Sequence, residues 1–546
     1  MKSKYLILDC FVDEPACFGV PPFFSPYPRY IYGALVDGGI EPDRITYRTI
    51  DNVRASNYRI DAPADRVFLI GGAVVPGKYL GARIGTAAEI EKIIAANKNL
   101  QFILGGMIRF MLPEMPNATR LSGDIEAYAH GLARGEPADR MRSTAEIARW
   151  AALGAPVVQS HPDHPVLVCE IETYRGCPRT MHCSFCSEGL MPFAGFRGIP
   201  DILNEIDSLI GCGISRFRLG RQADILQYGS GFTDYRGGFP RPQPGPVSEL
   251  FGELKKRKVY GSITLLNIDN ANPGTIANFP DESAEILGII TRAVTPGDTM
   301  ALGVESFDEK VVALNGLKVG PAGARTAIEI INSAGARRVD GIPALLPGIN
   351  LVHGLRGEDE GTFEKNYRCL MEILEAGLLV KRINIRKALP FPGTPLCENP
   401  PSLSRAAKNR FEYYRDRIRH DVDIPMLKRI YPAGTVLQDV RMIEHRSGYS
   451  LGKQVASYSI TVKVPGALEL NGFYDLVAVG HQERSLVGLE IPVRINTIGK
   501  NALEAIPGIS KKRASDIVLA RPFSDHTAAL EALRGVDEGI VKHVEI

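Results

Sequence analysis

Residues 172–189 read ETYRGCPRTMHCSFCSEG, and Cys177, Cys183 and Cys186 stand with five and then two residues between them. Thiolates this close in sequence can hold three corners of a cubane 4Fe-4S cluster and leave the fourth iron without a protein ligand. An iron left open in this way accepts a substrate or a cofactor. The stretch follows VLVCEI, an apolar run of strand type. The cysteines therefore fall on the loop at the carboxyl end of a strand, where barrel enzymes place their chemistry. A structural zinc ion is the competing reading, with His182 or Cys169 as its fourth ligand.

Outward from that loop, composition sets the frame. A chain of 546 residues is too long for one core, and about three or four domains are expected. The formal net charge of +2 neither demands nor excludes a polyanionic partner. Nine cysteines, three of them clustered, do not make a secreted disulfide framework. An exposed low-potential cluster needs a reducing, oxygen-poor compartment. No apolar run reaches about 18 residues, and no signal pattern opens the chain. A cytoplasmic protein without membrane segments is expected.

The cysteine loop and the elements after it resemble the radical S-adenosylmethionine (SAM) enzymes. Most of that superfamily has a shorter first gap between cysteines, so the spacing here is a departure that some members share. The resemblance implies a 4Fe-4S cluster on Cys177, Cys183 and Cys186, with the amino and carboxylate groups of SAM on the open iron. Phe185, the residue before the third cysteine, would lie against the adenine. It also implies a partial (β/α)6 barrel over residues 166–400, and strands and helices do alternate there. SRFRLG, the second strand, ends in Gly220, Arg221 and Gln222; Gly220 and Gln222 match the family's contact to the methionine amino group. ITLLNIDNANP, the third, carries Asn267, Asp269 and Asn270 at its end. TMALGVES, the fourth, ends in Glu305 and Ser306, matching the family's ribose and carboxylate contacts. The fifth and sixth strands, within PALLPGINLVHGLRGE and RINIRKALPFPGTPL, add Asn350, Glu358 and Arg386. The candidate cofactor-binding set is thus Phe185, Gly220, Gln222, Asn267, Glu305, Ser306 and Arg386. His353 lies in an apolar run and reads as a core histidine.

Residues 1–110 alternate short strands and helices in the manner of a doubly wound α/β domain. Gly71-Gly72 and Gly105-Gly106 follow strands, where ligands approach an open sheet. The layout resembles the Rossmann-like cobalamin-binding domain that precedes the barrel in many radical SAM methyltransferases. Their Asp-x-His-x-x-Gly motif is missing, and the first histidine of the chain is His130, so no histidine of this domain would ligate cobalt from below. Methylthiotransferases hold a second cluster on three N-terminal cysteines; only Cys10 and Cys17 precede residue 169 here. The stretch DEPACFGVPPFFSPYPRY, rich in proline and aromatic residues, is expected either to close over the barrel mouth or to pack. Residues 111–165 read as a connector. It holds a helix with the sole tryptophan, Trp150, read as core, and HPDHP, with His161 and His164, read as a turn.

Residues 401–424 read as a helical linker. Residues 425–495 are rich in strand patterns separated by glycines and suit a small antiparallel barrel of OB type. In position this resembles the RNA-gripping (TRAM) barrel of methylthiotransferases. Residues 496–546 resemble a tandem helix-hairpin-helix module, with IPGISKKRA as the first hairpin and Lys511, Lys512 and Arg513 as its basic group. Seven basic and seven acidic side chains over 500–546 leave no net field for a polyanion.

Taken together, the resemblance implies a radical SAM methyltransferase. SAM would be cleaved to a 5′-deoxyadenosyl radical and a carbon of a macromolecule methylated through cobalamin, with a low-potential electron donor. The substrate would be a protein or an RNA; the charge-balanced tail favours a protein, as among relatives that act on methyl-coenzyme M reductase. The alternatives are a tRNA-modifying methylthiotransferase and a non-catalytic Fe-S protein that binds nucleic acid.

Overall fold

The first strand, β1 (Tyr5–Asp9), is YLILD and is buried along its whole length, as a central strand of a parallel sheet covered on both faces must be. It lies between β2 (Ile45–Thr49) and β3 (Arg66–Ile70), with β4 (Gln101–Gly105) and β5 (Ala118–Arg120) beyond, every pair parallel. The order β2-β1-β3-β4-β5 is that of a flavodoxin-like doubly wound sheet, whose switch point lies between β1 and β3. This computed structural model describes residues 3–72, 79–401 and 405–546. The chain is mixed α/β and divides into two units: 1–295 with 313–319 and 388–401, and 296–312 with 320–387 and 402–546.

In the first unit, helix α1 (Pro26–Asp37) packs beside the sheet, and α2 (Ala87–Ala96) opens with a capping box between Thr86 and Glu89. The segment expected to be a connector after residue 110 instead completes this layer. It supplies β5 and two helices, α3 (Ile125–Ala133) and α4 (Thr144–Leu153), that lie against α1. Strand β5 is three residues of half-exposed ATR, too short and too polar to show a period. Glycines let α1 and α4 touch: a methyl group at Gly33 would stand 1.9 Å from the Trp150 carbonyl oxygen, and one at Gly154 1.8 Å from that of Arg29. Trp150 is fully buried and its indole N–H donates to Asp37 at 2.9 Å.

The proline-rich stretch proves to be packing. Asp13–Glu14 and Cys17–Phe18 form a small antiparallel hairpin, and Phe23–Phe24 pairs in parallel with Val168 and Cys169. It thereby joins a second parallel sheet made of β6 (Val168–Glu172), β7 (Arg216–Gly220) and β8 (Leu265–Ile268), with β7 in the middle of those three.

In the second unit, β9 (Asp298–Glu305), β10 (Leu345–His353) and β11 (Arg382–Lys387) form a three-stranded parallel sheet. The six strands expected of the barrel are therefore present as two sets of three, one in each unit. The alternation of strands and helices in the sequence carries no mark of that division. Of the expected linker, residues 402–404 lie outside the described residues, and helix α5 (Arg405–Ile418) follows. The strands β12 (Val436–Arg446), β13 (Tyr449–Gln454), β14 (Thr461–Pro465), β15 (Phe473–Gln482) and β16 (Ser485–Glu490) close into a barrel in the order β12-β13-β14-β16-β15. It is not wholly antiparallel: β14 and β16 run parallel, as the third and fifth strands of an OB barrel do.

Four short helices end the chain: α6 (Lys500–Glu504), α7 (Lys511–Leu519), α8 (His526–Ala532) and α9 (Glu538–Val541). Ser510 caps α7 through its hydroxyl, which accepts from Arg513 N at 3.2 Å. The Arg513 guanidinium turns inward and donates to the carbonyls of Gly508, Ala532 and Arg534, so it is not the free basic group expected of it. Leu503, Ile517, Ala529 and Ile540 share one apolar cluster with Val477, Val479 and Leu489 of the barrel.

Gly33→Ala is expected to cost about 1–3 kcal/mol, because backbone must yield where the two helices meet. Denaturant unfolding of the first unit, followed by the fluorescence of Trp150, measures it.

Candidate functional site

Strand β6 ends at Glu172, and the chain runs through Tyr174 and a left-handed Gly176 (φ 88°) into the cysteine loop. The Tyr174 hydroxyl donates to Asp224 O at 2.5 Å and accepts from Asp224 N at 2.9 Å, while its ring meets Phe193 and Phe196 edge-on. Backbone bonds fix the loop on both flanks: Thr180 N donates to Gly238 O, Ser184 N to Asn315 O, and Leu396 N to Ser184 O. The Ser184 hydroxyl adds a bond to Asn315 Oδ1 at 2.7 Å. The loop is thus held by bonds of its main chain and of the Ser184 hydroxyl.

Cys183 is buried; Cys177, Cys186 and Phe185 are half-buried. Burial pushes the Cys177 and Cys186 thiols up, and the nearby charge of Cys183 pushes both further. Cys183 is thus close enough to act on both of its neighbours. Opposing cations come from Arg179, whose Nη1 lies 3.4 Å from Cys183 Sγ, and from Lys318, whose charge lowers both Cys177 and Cys186. The raised Cys177 and Cys186 thiols ionise together only when cationic charge, such as a metal's, compensates them. Among the described residues no group of three or more His, Cys, Asp or Glu side chains is gathered so as to hold a single metal ion. The donor set fits a cluster, which takes each sulfur at a separate corner. His182 Nε2 instead lies 3.2 Å from Cys177 O.

The remaining candidates fall in both units. In the first, Gly220 is the last residue of β7, and a methyl group there would stand 2.4 Å from Glu170 Oε1. Gln222 is fully buried with both ends engaged: Oε1 accepts from the Thr173 hydroxyl, and Nε2 donates to Leu219 O. Asn267 lies inside β8, opposite Arg218 in register, rather than past its end. In the second unit, Glu305 is the buried last residue of β9, the Ser306 hydroxyl accepts from Asp308 N, and Arg386 is exposed on β11. His353 is a core histidine, stacked on Phe363 at 4.3 Å with Nδ1 3.1 Å from Glu358. His164 contacts Cys212 O, and His161 Nδ1 accepts from Asp163 N, as expected of a turn.

Backbone conformation marks strand ends that polarity alone does not single out. Phe11, Arg221 and Glu305 adopt left-handed φ values of 65°, 59° and 67° just after, or at the end of, β1, β7 and β9. Non-glycine residues held this way cost on the order of 1–3 kcal/mol each and gather at functional sites. Arg221, outside the candidate set, is buried, with Nη1 3.2 Å from Glu188 Oε1 and Nη2 3.2 Å from the Tyr27 hydroxyl. Tyr27 in turn donates to Glu14, whose other oxygen accepts from Met107 N just past β4. The signal for Arg221 was its place between Gly220 and Gln222; for Glu188, its place two residues past Cys186.

At the switch point the carboxyl edge of the first sheet is covered by the chain's own hairpin. Gly72 abuts Asp13 N, which a methyl group would approach to 2.7 Å, and Phe11, Val12, Ala16 and Cys17 are all buried. Burial pushes the Asp9 carboxyl at the end of β1 up to about 7, although it accepts from Phe11 N and the Tyr47 hydroxyl.

No family model matches the chain. Among solved structures it is similar to the radical SAM methyltransferase TsrM from Kitasatospora setae, with cobalamin and a 4Fe-4S cluster bound: 14% identity, 72% of this chain and 77% of that one, TM-score 0.45. It is also similar to OxsB, a cobalamin-dependent SAM radical enzyme with aqua-cobalamin and SAM bound: 13% identity, 77% of this chain and 55% of that one, TM-score 0.43.

Asp9→Asn is expected to stabilise the first unit above about pH 7, by on the order of a few kcal/mol, with the gain vanishing below about pH 4. The raised carboxyl favours the folded state only while protonated, so wild type loses that contribution as pH rises through the window and the amide does not. Paired denaturation curves at several pH values check the difference.

An uncharacterized protein of Archaeoglobus fulgidus is 38% identical over 536 residues, 97% of this chain and 98% of that one. An uncharacterized protein of Methanocaldococcus jannaschii is 37% identical over 513 residues, 89% and 93% of the two chains. With such identity along almost its whole length, this protein belongs to one family with these archaeal proteins.

Proposed function

We propose that the protein is a radical SAM enzyme that methylates a carbon of a macromolecular substrate. The observation that carries this reading is the loop at the end of β6. Cys177 and Cys186 there feel the charge of Cys183, Arg179 and Lys318 oppose it, and bonds of the loop main chain and of the Ser184 hydroxyl hold the loop in place. When bound, a 4Fe-4S cluster supplies the electron that splits the carbon–sulfur bond of SAM, chemistry beyond any side chain. Cys177, Cys183 and Cys186 hold that cluster, Arg179 orients the Cys183 sulfur, and Phe185 offers a half-buried ring to the adenine.

Cobalamin as methyl carrier is supported by the β2-β1-β3-β4-β5 order of the N-terminal sheet. The hairpin over the switch point occupies the edge where a corrinoid would dock, so docking there requires that segment to shift. Cys10 and Cys17, both buried, do not make up the three ligands of a second cluster, which favours methyl transfer over sulfur insertion. A protein substrate, such as methyl-coenzyme M reductase, suits a tail in which Arg513 is spent on carbonyls. Lys511 and Lys512 remain exposed at the start of α7. A low-potential donor would supply the electron. No described helix is long and apolar enough to cross a membrane.

Anaerobically reconstituted protein is expected to release 5′-deoxyadenosine from SAM on addition of dithionite. Loss of an outer-shell partner of a metal site costs about 10–100-fold, so Cys183→Ala is expected to lower the yield by at least that much. An unchanged yield in that variant, quantified by chromatography, would sink the proposal.

A further inference from the structure

Where the first turn of α4 meets the end of β6, the first unit holds a small cavity lined by Arg142, Thr144, Ile147, Arg175, Ala194 and Arg197, with Glu172 in its wall. No cysteine and no residue matched to a SAM contact lines it. The three arginines are 8%, 3% and 3% exposed in chain order, and their carboxylate-gripping edges are spent. Arg142 gives Nη2 to both oxygens of Glu172 at 2.8 and 2.7 Å, and its Nε lies 2.9 Å from Glu126 Oε1. Arg175 gives both terminal nitrogens to Asp124. Arg197 gives Nη1 to Glu205 at 2.5 Å and to Glu172 O at 2.9 Å.

One nitrogen of each arginine is left over: Arg142 Nη1, Arg175 Nε and Arg197 Nε are buried without a hydrogen bond. An unpaired buried donor costs its full desolvation, and native chains rarely keep one. Three around one cavity call for an acceptor inside it. The wall itself adds donors, because the first backbone N–H groups of α4 have no helical acceptor. Its carboxylates are committed elsewhere: Glu172 to Arg142, and Glu146 of that helical turn to Ser143 N and Arg140.

Charge points the same way. Around the cavity Arg29, Arg142, Arg175 and Arg197 meet Asp124, Glu126, Glu172 and Glu205 in buried pairs. Burial pushes the Glu126 carboxyl up, and Glu126 Oε2 is also without a hydrogen bond. With Glu126 protonated, the group keeps one positive charge in excess, which is costly away from water. A carboxylate or phosphate is matched by the two-pronged edge of a guanidinium. No such edge is free here, and single N–H groups from three side chains suit a spherical ion instead.

We infer that this cavity is a binding site for one monovalent anion of halide type, held by Arg142, Arg175 and Arg197 at the first turn of α4. The ion ties α4 to the stem of the cysteine loop, since Arg175 lies two residues before Cys177.

The test follows Trp150, the sole tryptophan and a residue of α4, during thermal unfolding of the full chain. Ionic strength is held fixed in sodium fluoride, chloride, bromide or formate, fluoride being the most strongly hydrated halide. Chloride and bromide are expected to raise the midpoint over fluoride by on the order of a few degrees. Ala194→Leu puts a larger side chain into the cavity wall and should remove that advantage. A second measurement needs no variant: in wild-type crystals soaked in bromide, anomalous scattering should place one ion within hydrogen-bonding reach of Arg142 Nη1. The inference is overturned if the soaked cavity holds water alone, if chloride and bromide shift Ala194→Leu as far as wild type, or if formate raises the midpoint and the halides do not.

Discussion

A single buried carboxylate ties the first unit together. Glu170, in the middle of β6, accepts from Arg218 Nη1 at 2.6 Å, from Arg221 N at 2.9 Å and from Phe18 N at 2.9 Å. Those partners lie on β7, just past its end, and on the N-terminal hairpin, so one side chain sets where the strand ends lie with respect to one another. Burial and the charge of Asp269 push its carboxyl up to about 7, against the pull of Arg218. A charge taken this far from water survives only with partners on every side. Gly220 is a glycine because Glu170 fills the space where its side chain would go.

Further buried pairs extend that arrangement outward. Glu205 bonds to Arg29 at 2.9 Å and to Arg197 at 2.5 Å, while Arg142 joins Glu172 and Glu126. Breaking such a pair leaves an uncompensated charge and costs about 3–5 kcal/mol. The pairs therefore act as registration pins: each admits one relative placement of the segments it joins. The cysteine loop inherits this rigidity, because both of its ends leave elements fixed in this way.

The local signals were legible where the chemistry is local. The cysteine spacing marked the loop, and alternating apolar runs marked β1, β3, β4 and the six strands that follow, since a strand buried on both faces advertises itself by composition. The OB-like barrel was legible from its glycine-punctuated strands, but the parallel pairing of β14 and β16 depends on closure, which no local pattern encodes. Strand β5 was missed because it is only three residues long and two of them, Thr119 and Arg120, are polar and exposed. Gln222 matches the resemblance's contact to the methionine amino group, yet its amide is consumed by Thr173 and Leu219. Glu188 and Arg221 were passed over because a lone charged residue says nothing of its partner until the fold brings the two together.

The apolar cluster that joins the barrel to the last four helices bears on the history of the chain as well as its shape. Val477, Val479 and Leu489 find their cover in Leu503, Ile517, Ala529 and Ile540, and the methyl group that Gly434 lacks would stand 2.6 Å from Gly539. Neither piece presents a finished surface without the other. A tail exchanged for that of an unrelated protein would leave an oily gap on the barrel, so recombination can pass these two pieces on only as a matched set.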